Sequence, residues 1–380
     1  MDLAAAYAPV IAEVRELLPP DALVVDSHTH LGVDEDGQRL KLEELLGLLD
    51  QIGPTARACT FPLHDPERAP GYRVPNDRVL QWASESGGRI YPYCRLDPAE
   101  DPVREAERCL ARGARGIKLH PRAQSFGFGN AAAESIWGVA QEHRVPILVH
   151  AGRGMPRMDA LADLALRFPD VPLVLAHGAI ADQGMFAARL ADHPNVVYDT
   201  SVFSAFDQLE LFARVPAERI VFASDAPYGR TLGALHIALR LAAYAELDEN
   251  ELRQFLGGTM TDILEQRPLA APKAPRVKQI RPVSGRLTRI NGYLLMAFAA
   301  ALSSGPPPDF SRSLPYVSLA RGVCRDPDPG AAGPALARID ELLAAAEQGL
   351  AASGEQTRTA FGLVMASAAI AGTERLNGDR

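Results

Sequence analysis

Four histidines and one aspartate close apolar runs of strand length in this chain: His28 and His30 in VVDSHTH, His150 in VPILVH, His177 in PLVLAH and Asp225 in IVFASD. Imidazole nitrogens and a carboxylate oxygen are the donors that zinc and related first-row ions take. Side chains along a strand alternate faces, so His28 and His30 point the same way and can chelate together. Asp26 shares their parity and is expected beneath them, either orienting a ligand or forming half of a buried ion pair. The whole chain has nine histidines, so four at strand ends is a placement that chance rarely gives. The bland alternative is a set of ordinary polar strand ends.

The chemistry such a set suggests is activation of water. A bound divalent cation lowers the pKa of its water towards neutrality and polarises a carbonyl oxygen. Asp225 would then accept a proton, and Asp225 or His177 would return it to the leaving group of an amide, lactone or ester. His177 would otherwise steady a developing oxyanion. Arginines stand near further strand ends: Arg95, Arg122, Arg153 and Arg230. A guanidinium grips a carboxylate in a bidentate fork, which points to a small carboxylated substrate; solvated loop pairs of little consequence are the competing reading. Lys118 and His120, two residues apart in GIKLHP, face one way, with His120 as a rim residue near substrate or a loop anchor. Phe126, Phe128 and Tyr228 would wall the pocket or simply pack.

These residues need a scaffold that brings distant strand ends together. Short β-branched apolar runs alternate with longer helical patterns, the sign of βα units and a parallel sheet. The strands are expected at Ala22 to His28, Ala56 to Leu63, Arg89 to Leu96, Ala114 to His120, Val145 to His150, Val171 to His177, Asn195 to Thr200 and Arg219 to Ser224. Helical spacing follows several of them, as in LKLEELLGLLDQI, NDRVLQWASES and AAAESIWGVAQEH. Eight units over roughly 250 residues fit a (β/α)8 TIM barrel, an α/β fold that delivers every strand's C-terminal end to one rim. A doubly wound open sheet alternates in the same way; ligands on the first, fifth, sixth and eighth strands favour the barrel.

The stretches DSHTH at Asp26 to His30, GIKLHP at Gly116 to Pro121, ILVHAG at Ile147 to Gly152, AHG at Ala176 to Gly178 and SDAP at Ser224 to Pro227 resemble those of the metal-dependent amidohydrolase superfamily. The likeness is stronger to its amidohydrolase-related branch, which includes aminocarboxymuconate-semialdehyde decarboxylase. It spans about residues 20 to 268. The resemblance implies that His28, His30, His150 and Asp225 hold an ion, most readily Zn2+, and that His177 binds a second ion or works as an acid or base. Some superfamily members carry a carboxylated lysine bridging two metals where Lys118 stands. One ion is expected, with Lys118 and His177 as the ligands a second would use.

Composition agrees with an enzyme of this kind. The chain has 380 residues, 47% of them hydrophobic, with 39 basic against 47 acidic side chains, which predicts a globular protein without general affinity for nucleic acid or membrane. Its four cysteines lack metal-pair spacing or disulfide density, so a cytoplasmic setting is expected. The first twenty residues lack the pattern of a secretion signal. The barrel is expected over residues 1–268, a proline-rich solvated linker over 269–285, and a helical domain over 286–380, with helices at Asn291 to Ser304, Ala335 to Ala352 and Thr357 to Gly372. That domain would pack on the barrel, cover its mouth or join two subunits of a homo-oligomer. Three functions follow: a hydrolase first, a non-oxidative decarboxylase of an aromatic or muconate-like acid second, and a non-catalytic metal- or ligand-binding protein third.

Overall fold

The structure, a computed structural model, describes residues 3–152, 155, 158–201, 204–277, 284–304, 308–327, 329–352 and 355–374. Its strands are β1 (Val25–Val33), β2 (Arg39–Leu40), β3 (Arg57–Pro62), β4 (Ile90–Arg95), β5 (Gly116–Leu119), β6 (Ile147–Val149), β7 (Leu173–Leu175), β8 (Val196–Asp199) and β9 (Ile220–Val221). All but β2 overlap the expected runs. β2 pairs antiparallel with the end of β1, Gly32 opposite Leu40 and Val33 opposite Arg39. Two residues are too few for periodicity to reveal.

From β1 and β3 onward each strand pairs in parallel with the next in chain order. A parallel step needs a crossover, which helices supply: α2 (Leu42–Ile52) precedes β3, and α3 (Arg73–Glu85), α4 (Pro102–Ala111), α5 (Ala131–His143), α6 (Met158–Arg167), α7 (Gln183–Arg189) and α8 (Ala205–Arg214) follow β3 to β8 in turn. After β9 comes α9 (Thr231–Tyr244), and before β1 stands α1 (Leu3–Leu17). Helix starts are marked locally: the Asn130 side chain accepts the Ala133 N–H at the head of α5, and Pro102 opens α4. The sheet closes on itself. Ser27 N–H donates to Phe222 O at 3.0 Å, Asp225 N–H to His28 O at 2.9 Å, and His30 N–H to Ala226 O at 2.8 Å, which completes a (β/α)8 barrel.

Two apolar layers follow from strand alternation. Outward residues such as Ala58, Ile117 and Ile147 pack under the helices. Inward residues such as Val25, Phe61, Tyr93 and Leu148 fill the barrel, whose base is plugged by Met260, Ile263 and Leu264. With this base stoppered, the barrel opens at the strands' C-terminal ends.

Beyond the barrel lie α10 (Glu249–Arg253), α11 (Thr259–Leu264), α12 (Gly285–Leu302), α13 (Leu314–Cys324), α14 (Gly333–Leu350) and α15 (Glu355–Thr373). α12, α14 and α15 overlap the three expected helical patterns, and α13 lies between the first two of them, where no helix is expected. Leu287, Ile290, Leu294, Ile339, Leu343 and Leu363 are all at least 99% buried in a core of their own. Each contributes about 1.5–3 kcal/mol on burial, so these helices have a packing drive independent of the barrel. Tyr7 and Val10 of α1 belong to that core, while Val14 belongs to the barrel's. The first helix thus bridges the two.

Polar contacts reinforce this seam. Glu13 accepts from His236 Nε2 of α9 at 2.6 Å, from Arg338 of α14 at 2.6 Å, and from Arg240 of α9. Arg240 also meets Glu374 at 2.8 Å. The helices therefore dock on the flank of the barrel. The described part of the connection before them is largely exposed, as expected of a solvated linker, and two ion pairs tie it down: Arg276 with Glu251 at 2.7 Å and Lys273 with Glu218 at 3.2 Å. No helix among the described residues is long and apolar enough to cross a membrane.

Candidate metal centre

The barrel gathers its ionisable groups at the C-terminal strand ends. His28 and His30 lie within β1, Lys118 within β5, and Asp199 ends β8; His150 directly follows β6, His177 sits in the turn after β7, and Asp225 follows β9. His177 (φ 58°) and Asp225 (φ 61°) both occupy the left-handed region. For a residue with a β-carbon this costs about 1–2 kcal/mol, and such strain concentrates at functional sites. Glycines make room for the turns. A β-carbon at Gly152 would stand 2.7 Å from His150 Nε2, and one at Gly229 would collide with Ser224 O at 2.0 Å.

The side chains converge. His28 Nε2 and His30 Nε2 each lie 3.1 Å from Asp225 Oδ1. Among the described residues His28, His177 and Asp225 offer ligand atoms that all lie within 4.8 Å of one another. His150 adjoins this group through its Nδ1, 2.9 Å from His177 Nε2, and its ring stacks on His120 at 3.8 Å. Lys118 Nζ is 3.3 Å from His28 Nε2 and 4.5 Å from the Phe61 ring centroid.

Behind this cluster stands Asp199, which the motif reading missed. Its Oδ2 is 2.8 Å from His28 Nδ1, and its Oδ1 accepts the backbone N–H of His177 at 2.8 Å and of Ser201 at 3.0 Å. A carboxylate on one ring nitrogen fixes a histidine's orientation and leaves the other nitrogen free to face an ion. The signal was available: VVYD ends an apolar strand in an acid, as IVFASD does. His177 Nδ1 similarly donates to Ser201 O at 2.7 Å, which leaves the Nε2 lone pair as acceptor.

Charge states suit a cation. Burial pulls His30 down to about 3 despite Asp225, and lowers His177. Burial and the neighbouring His177 charge hold His150 well below its usual value; burial together with His150 does the same for His120. These rings are therefore neutral and carry lone pairs. Burial would raise Asp225, but His28 and His30 outweigh it and keep the carboxyl well below the usual range. His28 is raised, for although burial and Lys118 oppose its charge, Asp225 and Asp199 prevail. Burial brings Lys118 down to about 7. Neutral His30, His150 and His177 beside an ionised Asp225 are donors a divalent ion needs, and at His28 a cation would take the place of the proton that Asp225 and Asp199 favour, so the residues fit a metal site.

Asp26 takes neither expected role. Register slips between Asp26 and Thr29, so Asp26 pairs with Ala58 while His30 pairs with Phe61. Ala58 belongs to the outer layer and Phe61 to the barrel interior, so the bulge breaks the alternation that would align Asp26 with both histidines. Its Oδ1 instead accepts the N–H groups of His28 at 3.3 Å and Ser224 at 2.9 Å, tying the seam of the barrel.

The remaining site expectations fare unequally. Arg95 is 1% exposed at the end of β4. Arg122 lies exposed on the loop after β5, and Arg230 is half-buried at the start of α9. Arg153 lies outside the described residues. The His120 Nδ1 accepts Ala123 N–H at 3.2 Å, as a loop anchor would, while its ring still borders His150. Phe126 and Phe128 pack edge to face, and Phe128 continues onto the buried Trp137, so both serve the outer core. Tyr228 stands edge-on to His30 at 5.5 Å and donates to Asp34 Oδ2 at 2.6 Å. Asp34 and His64, joined by the His64 N–H at 2.9 Å, are rim groups that motif reading did not find.

The family model for Amidohydrolase matches residues 25–264, a span that includes every residue of the cluster. No curated protein matches the chain. Solved structures with a similar fold include 2,6-dihydroxybenzoate decarboxylase from Rhizobium, with a TM-score of 0.50 and 16% identity over 64% of this chain and 98% of that one. An uncharacterised TIM-barrel protein from Bordetella bronchiseptica has a TM-score of 0.50 and 13% identity over 69% and 92%. A probable 2-pyrone-4,6-dicarboxylic acid hydrolase from Acinetobacter baumannii has a TM-score of 0.49 and 12% identity over 64% and 99%. At such identities the first two show a likeness of fold alone.

Proposed function

The chain belongs to the amidohydrolase family, and from that premise we propose that it is a metal-dependent hydrolase that opens an amide, lactone or ester bond in a small carboxylated substrate. One observation carries this reading: His28 Nε2 and His30 Nε2 meet at 3.1 Å on one ionised oxygen of Asp225, with Asp199 bracing His28 from behind. His28, His30 and Asp225 would hold one ion, completed by His150, which leaves the His177 Nε2 lone pair for proton transfer. Once bound, a zinc-like ion supplies Lewis acidity and a water that ionises near neutral pH.

The chain's own groups do the rest. Asp225 stays ionised, which lets a carboxylate oxygen accept the proton of the attacking water. His177, its Nδ1–H tied to Ser201 O, presents Nε2 as the second proton carrier and can deliver to the leaving group. Asp199 keeps the His28 ring from turning. Lys118, adjoining His28, is placed to meet substrate.

Decarboxylation of an aromatic or muconate-like acid is the second reading, favoured by two buried cations, Arg95 and Lys118, beside the histidines. The test is a panel of carboxylated amides, lactones and esters, scored for hydrolysis and, with aromatic acids, for carbon dioxide release. Hydrolysis that disappears on metal removal and falls about 10²- to 10⁴-fold in Asp225→Asn is expected, the range general acid–base groups contribute. Full activity in Asp225→Asn contradicts the reading, and carbon dioxide release without hydrolysis installs the second.

A further inference from the structure

Arg95 closes β4, and Lys118 lies opposite it in register on β5. Tyr93, two residues before Arg95, belongs to the interior of the barrel, so Arg95 shares the inward parity; Lys118 covers the interior Phe61 ring. The two cations are 1% and 0% exposed. Among the described residues neither makes an ion pair with a carboxylate.

Their contacts are weak substitutes. Arg95 Nη1 donates to Pro62 O at 3.2 Å, Nη2 reaches His64 Nδ1 at 3.4 Å, and the guanidinium lies 4.9 Å from the Tyr72 ring centroid. Its buried Nε–H has no partner among the described residues. The nearby acids are committed: Asp34 accepts from the Tyr228 hydroxyl and the His64 N–H, and Asp199 and Asp225 serve the histidines. A buried guanidinium without an anion is strongly unfavourable, and its unsatisfied Nε–H donor adds to the cost. An entering anion would relieve both.

Resting on the hydrolase reading above, we propose that Arg95, seconded by Lys118, is the seat of a substrate carboxylate that is retained through the reaction. The carboxylate accepts from Arg95 Nε–H while the bond to be cut lies towards the histidine cluster. Arg95 is thus the residue that selects an acid over its neutral analogue, in place of the exposed Arg122.

The test uses the metal-loaded full-length protein, 4-bromobenzoate as the probe and 4-bromobenzamide as its uncharged counterpart. Calorimetry should show the benzoate bound at least about 10-fold more tightly, and Arg95→Gln should lose that preference through an affinity drop of about 10- to 100-fold. Arg95→Lys should recover part of it, because the charge returns without the planar fork. Anomalous scattering from bromine in a wild-type co-crystal should orient the probe with its carboxylate on Arg95, a result that needs no variant to fold. Equal binding of benzoate and benzamide, or a carboxylate seated on the histidine cluster with Arg95→Gln unaffected, overturns the proposal. Failure of the hydrolase reading looks different: the preference for benzoate persists at Arg95 while no substrate is hydrolysed.

Discussion

Asp199 touches no expected substrate position, yet it holds His28 from one side and the His177 backbone from the other. Its removal should act on metal affinity before it acts on chemistry. Asp199→Asn is expected to weaken zinc binding about 10- to 100-fold, as partners behind a ligand commonly do, with little change in secondary structure; chelator competition measures it, and an unchanged affinity would contradict the role. Single residues were legible in the sequence where their type is scarce. Histidines at strand ends stand out among nine. Aspartates do not, because acids end strands for many reasons, and Asp199 gains meaning only from a ring 171 residues earlier in the chain. The arginines divide for a similar reason. Sequence places Arg95 and Arg122 alike near strand ends, but an inward parity buries one while the loop exposes the other.

At the scale of elements, periodicity located the parallel strands because each is an apolar run bounded by breakers. It could not show the bulge in β1, since a register slip is a property of two strands together. Nor could it show that α1 would seat Glu13 among His236, Arg240 and Arg338. That cluster makes a pH prediction. Burial raises the Glu13 carboxyl, but His236 and the two arginines outweigh it and bring it down to about 2. A depressed carboxyl contributes stability that is complete above the unfolded glutamate value and is lost as pH falls through the folded one. Burial also depresses His236, which acts in the same direction below the ordinary histidine value. Glu13→Gln should therefore lower Tm at pH 7, and its gap from the wild type should narrow as pH falls from about 4.5 towards 2. Calorimetric scans across that range decide it, and a gap independent of pH would contradict the assignment.

The whole molecule joins a barrel that sequence reveals to an appendage whose position it conceals. Alternating βα units made the barrel readable, because the same hydrophobic pattern recurs eight times. The C-terminal helices were mostly readable as helices, but not their docking on α1 and α9, which depends on surfaces far apart in the chain. The barrel's closure at Ser27, His28 and His30 matters most for function. It brings the first strand against the segment after the last and so sets two histidines on Asp225. The central claim is that this convergence binds a metal ion. Elemental analysis of purified wild-type protein beside a His28→Ala, His30→Ala double variant, each after equilibration with zinc and removal of excess, tests it most directly. The account predicts about one tightly held ion per wild-type chain and none in the double variant; a folded wild type that retains no metal, or a variant that retains as much, would contradict it.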